Sequence, residues 1–283
     1  MYQFPIGVML DSFKLNTNEA IKKAAEIGAK GVQMYATSGE HATENMSVSA
    51  RKELLDRMKA NGLVFSAICG DLGMGFGNPD KNPKLIEKSK RILELAKDLE
   101  CNIVTTHIGV VPGDKSHPRY QIMQEACGEL ARYADEMKAH FAIETGPETS
   151  LTLKGFLDSL GSTGVAVNMD PANLVMVTGD DPVQAVYNLR DYIVHTHAKD
   201  GIKLLDSDPE VIYGIKDIED VIQEGEVFRE MPLGEGHVPF EKYLAALEDI
   251  GYKGFLTIER EVGDNPTKDI ALAADFLRAM MTK

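Results

Sequence analysis

The 283-residue chain is 43% apolar and 26% charged, an ordinary balance for a folded protein, and its length suits either two average domains or one large α/β barrel of roughly 250 residues. Thirty basic side chains against 44 acidic ones leave a net charge of -14, and no run of four basic residues interrupts that field, which excludes nucleic acid and anionic membranes as expected partners. Three cysteines (Cys69, Cys101 and Cys127) without CxxC spacing exclude a disulfide framework and a thiolate zinc site, so the expected compartment is the cytoplasm.

The N-terminal Met1–Pro5 has no basic leader segment, and no apolar run approaches the roughly 20 residues of a membrane span. Short β-rich runs instead alternate with amphipathic stretches. Ile6–Leu10 reads as the first strand, and Asn18–Ile27 as a helix with Ala20, Ile21, Ala24 and Ile27 on one face, closed by Gly28. Strand Gly31–Tyr35 precedes helix Ser49–Ala60, and strand Leu63–Cys69 precedes helix Pro83–Leu99. Strand Asn102–Ile108 is followed by helix Tyr120–Met137, and strand His140–Glu144 by helix Leu153–Leu160. Strand Gly164–Met169 leads to helix Pro182–Leu189, whose proline suits a first helical turn. Strand Tyr192–His197 is followed by a long acidic insertion, Asp200–His237, before helix Phe240–Ile250. Strand Phe255–Glu259 and helix Thr267–Met281 complete the chain.

Eight βα units with no leftover segment of domain size predict an α/β fold of one domain, residues 1–283: a (β/α)8 TIM barrel with a long insertion after strand seven. An open doubly wound sheet is the alternative. The first turn, Asp11-Ser12-Phe13-Lys14, has neither of the glycine-rich phosphate motifs that such a sheet commonly carries. Within the insertion, Asp217–Ile222 could form a short helix or hairpin; connections this long are usually functional or hide structure.

Barrel chemistry sits at the C-terminal ends of the strands. Strands five to eight end in Glu144, Asp170, His197 and Glu259, each a good metal ligand. Three carboxylates converging on one apolar mouth would repel each other and raise each other's pKa, a conflict that one divalent cation removes. Three oxygens and one imidazole suit Mn2+, Mg2+ or Co2+, with Zn2+ also compatible. His195, His197 and Lys199 share one face of strand seven, so His195 lies one layer deeper, as a ligand-orienting or a core histidine. Lys199, at the rim, is read as a substrate contact in preference to a partner for a loop acid. His107, ending strand four beside strand five, is expected in the site. Asn173 suits substrate contact or a turn equally. Cys69 could line the pocket, though packing is the commoner fate of a free thiol. Glu235 and His237 sit in a glycine-flanked turn. His41, His117 and His140 read as surface or structural.

Ala142-Ile143-Glu144, Asn168-Met169-Asp170 with Asn173, His195–Asp200, Pro232–Gly236 and Ile258–Glu261, in this order, resemble the xylose isomerase-like barrel superfamily of sugar phosphate isomerases and epimerases. The resemblance runs through essentially the whole chain. It implies a metal site on Glu144, Asp170, His197 and Glu259, most often holding Mn2+, with Glu144 and Glu259 also the acid/base pair and His107 facing substrate. The implied activity is that of a metal-dependent isomerase or epimerase acting on a small sugar or polyol. Proton abstraction beside a carbonyl would give a metal-stabilised enediolate, and homo-oligomerisation is a family-level expectation. The same site would serve a dehydratase or lyase on a keto-inositol or keto-glycoside. Three departures argue against simple ketose epimerisation: Asn173 where a histidine is common, Ser150 where a second glutamate is common, and Gln33 in place of an acid. Asn173, the total of seven histidines and the acidic surface also oppose an endonuclease of the same superfamily, and the four intact ligands oppose a non-catalytic sugar-binding barrel. No phosphate-binding cluster appears, so an unphosphorylated substrate is expected.

Overall fold

The computed structural model describes residues 2–216 and 225–282; the Asp217–Ile222 stretch read above as a helix or hairpin lies outside them. The elements in chain order are β1 (Ile6–Met9), α1 (Thr17–Glu26), β2 (Gly31–Tyr35), α2 (Val48–Ala60), β3 (Val64–Cys69), α3 (Asn82–Asp98), β4 (Ile103–Thr106) and α4 (Pro118–Glu136). They continue with β5 (His140–Glu144), α5 (Ser150–Leu160), β6 (Val165–Met169), the single turn α6 (Pro171–Asn173), α7 (Pro182–Asn188) and β7 (Ile193–Ala198). The insertion contributes β8 (Asp200–Lys203), α8 (Pro209–Ile212) and β9 (Phe228–Met231), and α9 (Phe240–Asp249), β10 (Leu256–Ile258) and α10 (Pro266–Thr282) follow.

The strands close in the order β1-β10-β7-β6-β5-β4-β3-β2, all parallel neighbours, so the chain forms a (β/α)8 barrel. Helices start where local side chains can cap them. Asn16, Ser47, Thr149 and Asp181 each accept a hydrogen bond from a first-turn amide of α1, α2, α5 and α7. The core lies between the strands and the inner helix faces, where Ile21, Leu93, Phe156, Leu244 and Leu277 are fully enclosed. No helix among the described residues is long and apolar enough to cross a membrane.

Element ends differ from the sequence reading by up to three residues, with one consequence for the site. Strand β4 stops at Thr106, so His107 lies just beyond it, free to turn towards the barrel mouth. The barrel pairing has two register shifts. One falls between Val32 and Gln33 in the β2–β3 pairing, the other between Val167 and Asn168 in β6–β7. In each case the extra residue belongs to the partner strand, Ser66 of β3 and Val194 of β7.

The insertion is anchored by an antiparallel β8–β9 ribbon. Its clamp is Asp200, whose buried carboxylate accepts from the amides of Gly201 (2.8 Å), Gly234 (2.9 Å), Gly236 (2.9 Å) and Val238 (3.0 Å). Glycine is required at 236, because a Cβ there would lie 2.2 Å from Asp200 Oδ1, and Gly234 has φ +90°. The glycine-flanked turn with Glu235 and His237 therefore serves this clamp. Asp200→Ala is expected to leave these amides without their acceptor and to cost about 3 kcal/mol in urea unfolding, with the barrel's far-UV circular dichroism retained. A loss under about 0.5 kcal/mol would show that the ribbon does not depend on Asp200.

Candidate functional site

Glu144 closes β5, Asp170 follows β6, His197 lies in β7 and Glu259 follows β10, so consecutive barrel positions aim these four side chains at one point. One donor atom from each lies within 4.8 Å of the others, and all four residues are buried. His197 Nδ1 is central, 3.1 Å from Asp170 Oδ2, 3.4 Å from Glu259 Oε2 and 3.5 Å from Glu144 Oε1. This buried cluster could bind a divalent metal ion.

The surrounding hydrogen bonds fit that use. His197 Nε2 lies 2.9 Å from Gln33 Oε1, and the Gln33 amide NH2 donates to Thr105 Oγ1 (2.9 Å), so the amide oxygen is turned to the histidine. With Nε2–H donating to Gln33, the Nδ1 lone pair points at the carboxylates, the tautomer a metal ligand needs. Asn168 Nδ2 donates to Glu144 Oε2 (3.0 Å), while Asn168 Oδ1 accepts from His195 Nδ1 (2.8 Å) and Thr257 Oγ1 caps His195 Nε2 (2.8 Å). Burial holds His195 well below the usual imidazole range, so it stays neutral and orients Asn168 from one layer deeper. Asn173 Nδ2 donates to Glu144 Oε1 (3.1 Å), and its backbone amide caps onto Asp170 Oδ1 (2.9 Å).

Charge is balanced around the cluster. Burial alone would lower His197, but the facing Glu259 and Glu144 carboxylates raise it well above its ordinary value. Burial would likewise raise the Glu144 carboxyl, yet His107, His197 and Lys199 bring it below the usual range. Lys199 is buried and donates to Glu259 Oε2 (2.9 Å) and to Glu261, its pKa raised against the burial penalty by Glu259 and Asp170. His107 Nδ1 lies 3.1 Å from Asp71 Oδ2, with Nε2 3.6 Å from Glu144 Oε1. Burial opposes its protonation, but Glu144 and Asp71 prevail and raise it to about 9.

A cavity of about 330 Å³ opens over the cluster, with His107, Asn173, Lys199, Glu144 and Glu259 on its wall. Cys69 and Tyr35 line it as well, the thiol being both packed and pocket-facing. Tyr213, from the end of α8, closes it from the insertion side, and burial followed by the Glu144 charge keeps its phenol neutral. The bland readings of the remaining histidines match their places: His117 caps α4 and His41 contacts Thr17 Oγ1 (3.2 Å). The sequence reading missed several site groups. Gln33 stood out only as a departure from an acidic residue, and Asn168 only as part of a motif. Glu261 likewise stood only within a motif, and Asp71 and Tyr213 carried no local signal. Glu148, buried beside Val111 and raised to about 8 by burial, was also unforeseen.

Comparison with known proteins agrees with this architecture. Residues 21–280 match the family model of the xylose isomerase-like TIM barrel. A xylose isomerase domain protein from Planctomyces limnophilus superposes with TM-score 0.79 at 24% identity, over 98% of this chain and 96% of that one. The probable 3-DHS dehydratase AsbF of Bacillus anthracis superposes with TM-score 0.74 at 18% identity, over 97% and 99% of the two chains. D-Psicose 3-epimerase from Clostridium cellulolyticum H10, solved with D-tagatose, gives TM-score 0.74 at 15% identity, over 98% and 99%. With a family model spanning nearly the whole sequence and a closed barrel of the same architecture, the chain belongs to the xylose isomerase-like TIM barrel family.

Proposed function

We propose that this protein is a metal-dependent sugar isomerase or epimerase that moves a proton beside the carbonyl of a small sugar or polyol. The observation that carries the reading is the convergence of Glu144 and Glu259 on one buried cation position from well-separated strands of the barrel. In this reading Glu144, Asp170, His197 and Glu259 hold one divalent ion, Mn2+ in preference to Mg2+, Co2+ or Zn2+. When bound, that ion supplies positive charge beside the substrate's carbonyl and neighbouring hydroxyl oxygens.

The protein groups do the rest. Glu144 and Glu259 approach the substrate from β5 and β10, with β6 and β7 between them, so one can take the carbon-bound proton and the other return it. Asn168 and Asn173 each donate to a different Glu144 oxygen, and Lys199 holds Glu259 from the rim. His107, Asn173 and Lys199 contact the substrate in the cavity above. Proton return to the same carbon gives epimerisation, and return to its neighbour gives isomerisation. A dehydratase reading on a keto-inositol or keto-glycoside is favoured by one feature. His107 lines the cavity with Nδ1 3.1 Å from Asp71 and Nε2 3.6 Å from Glu144, placed to give a proton to a departing oxygen.

Glu144→Gln and Glu259→Gln are each expected to slow carbon-bound hydrogen exchange in D2O by about 10²–10⁴-fold at matched metal content, followed by NMR over ketoses, keto-inositols and keto-glycosides. Exchange within about tenfold of the parent in both variants would remove the two glutamates from the acid/base role. The metal site gives a separate test. Because the facing carboxylates raise His197, a proton on Nδ1 would have to leave for Mn2+ to bind, so affinity should rise from pH 6 to pH 8 with release of roughly one proton per ion. Gln33→Leu, which removes the acceptor for Nε2–H, should weaken Mn2+ binding about 10–100-fold. Calorimetry showing the same affinity at both pH values and in the variant would place the metal elsewhere.

A further inference from the structure

Beside the reaction cavity lies a second, larger one of about 650 Å³, and the two share Asp71, His107, Ile212 and Tyr213 as common walls. Both volumes fall within the roughly 300–1,000 Å³ of ordinary ligand sites. The side chains facing the outer chamber are mainly apolar: Met74, Ile108, Val110, Met123, Ile212 and Ile215. Asp71 accepts from Gly73 N (2.8 Å) and pairs with His107, while the Arg119 guanidinium is paired with Glu210 through Nη2, its buried Nε having no partner.

The chamber is constructed from elements tied to one another. On one side the β3–α3 and β4–α4 loops are joined by the Phe76 N to Ile108 O bond (2.9 Å), with Gly75 packed so closely that a Cβ would lie 2.7 Å from Ile108 O. On the other side α8 of the insertion is fastened to α4 by the Arg119–Glu210 pair. The partition facing the reaction site carries His107 and Tyr213, whose rings lie 5.5 Å apart.

We propose that the sugar entering the reaction cavity carries an apolar, ring-sized substituent, an aglycone, which the outer chamber binds while His107 and Tyr213 meet the linkage between the two parts. The inference rests on reading the inner cavity as the sugar site and adds the substrate class, a glycoside in place of a free sugar. A chamber walled by methionine and isoleucine favours an aromatic or aliphatic group over a second sugar ring.

Two probes separate the chamber from the chemistry. With the Mn2+-loaded protein, 4-fluorophenol at millimolar concentration should show 19F line broadening that Val110→Phe and Ile215→Trp each abolish. Ile215 is 38% exposed at the rim, so that variant fills the chamber without disturbing the core. A phenyl 3-keto-glucoside should bind about tenfold or more tightly than its methyl counterpart, from the added apolar burial, and the filled variants should remove that preference. No broadening in the parent protein, or broadening and preference that survive both variants, would overturn the assignment. So would tighter binding of a keto-disaccharide than of the phenyl compound. Deuterium exchange is read in parallel. Chamber binding without exchange would defeat the enolisation reading alone, and exchange without phenyl preference would defeat the chamber alone.

Discussion

Three carboxylates, Glu144, Asp170 and Glu259, are buried around a single imidazole nitrogen at the mouth of a closed barrel, an arrangement that cannot persist without positive charge at its centre. The sequence supplies that charge in more than one way. His197 can hold a proton, Lys199 and His107 face the cluster from the rim, and the donor set could bind a divalent ion. A metal bound there would compete with a proton for the same Nδ1, which would couple occupancy to pH. The polar residues buried beneath the cluster follow from this. Gln33, Asn168, His195 and Thr257 would be costly in an apolar barrel interior, and each is satisfied by a partner that helps orient His197 or Glu144.

Two buried amides meet the central imidazole. Gln33 Oε1 of β2 and Asn168 Nδ2 of β6 lie 2.9 and 3.3 Å from His197 Nε2. Replacement of an acid by Gln33 also has a chemical consequence: an amide accepts from Nε2–H without adding a fourth negative charge to the cluster.

The insertion after β7 gives the barrel a wall that the regular βα pattern cannot. Asp200 binds its ribbon to the loop leading into α9, and Arg119 with Glu210 fastens α8 to α4, so Ile212 and Tyr213 stand over the mouth. The same residues separate the reaction cavity from the outer chamber. The loops carrying Asp71 and His107 complete that partition, so specificity can be tuned there without altering the strand-end cluster.

Hydrophobic periodicity set the order and type of the barrel elements, because alternation of β-rich runs with helical stripes is a local property. The four-residue cluster was legible too, once each strand end was placed at the barrel mouth, since the chemistry of a strand-end carboxylate or histidine is written in its own letter. His107 and Lys199 were placed near the mouth from their strand-end positions, and Asn173 from its place in the loop three residues after Asp170. Gln33 was visible only as an oddity, because its partner His197 is 164 residues away and is brought near by closure of the barrel. Asp200 lay within a quoted motif but gave no hint of its acceptor role, which depends on amides more than 30 residues later. Asp71, Tyr213 and the outer chamber arise where separate loops meet. Local sequence therefore determined the elements and the ligand-type residues, while tertiary structure decided hydrogen-bond partners, charge balance and cavity walls, since those depend on distances between segments that the chain order does not contain.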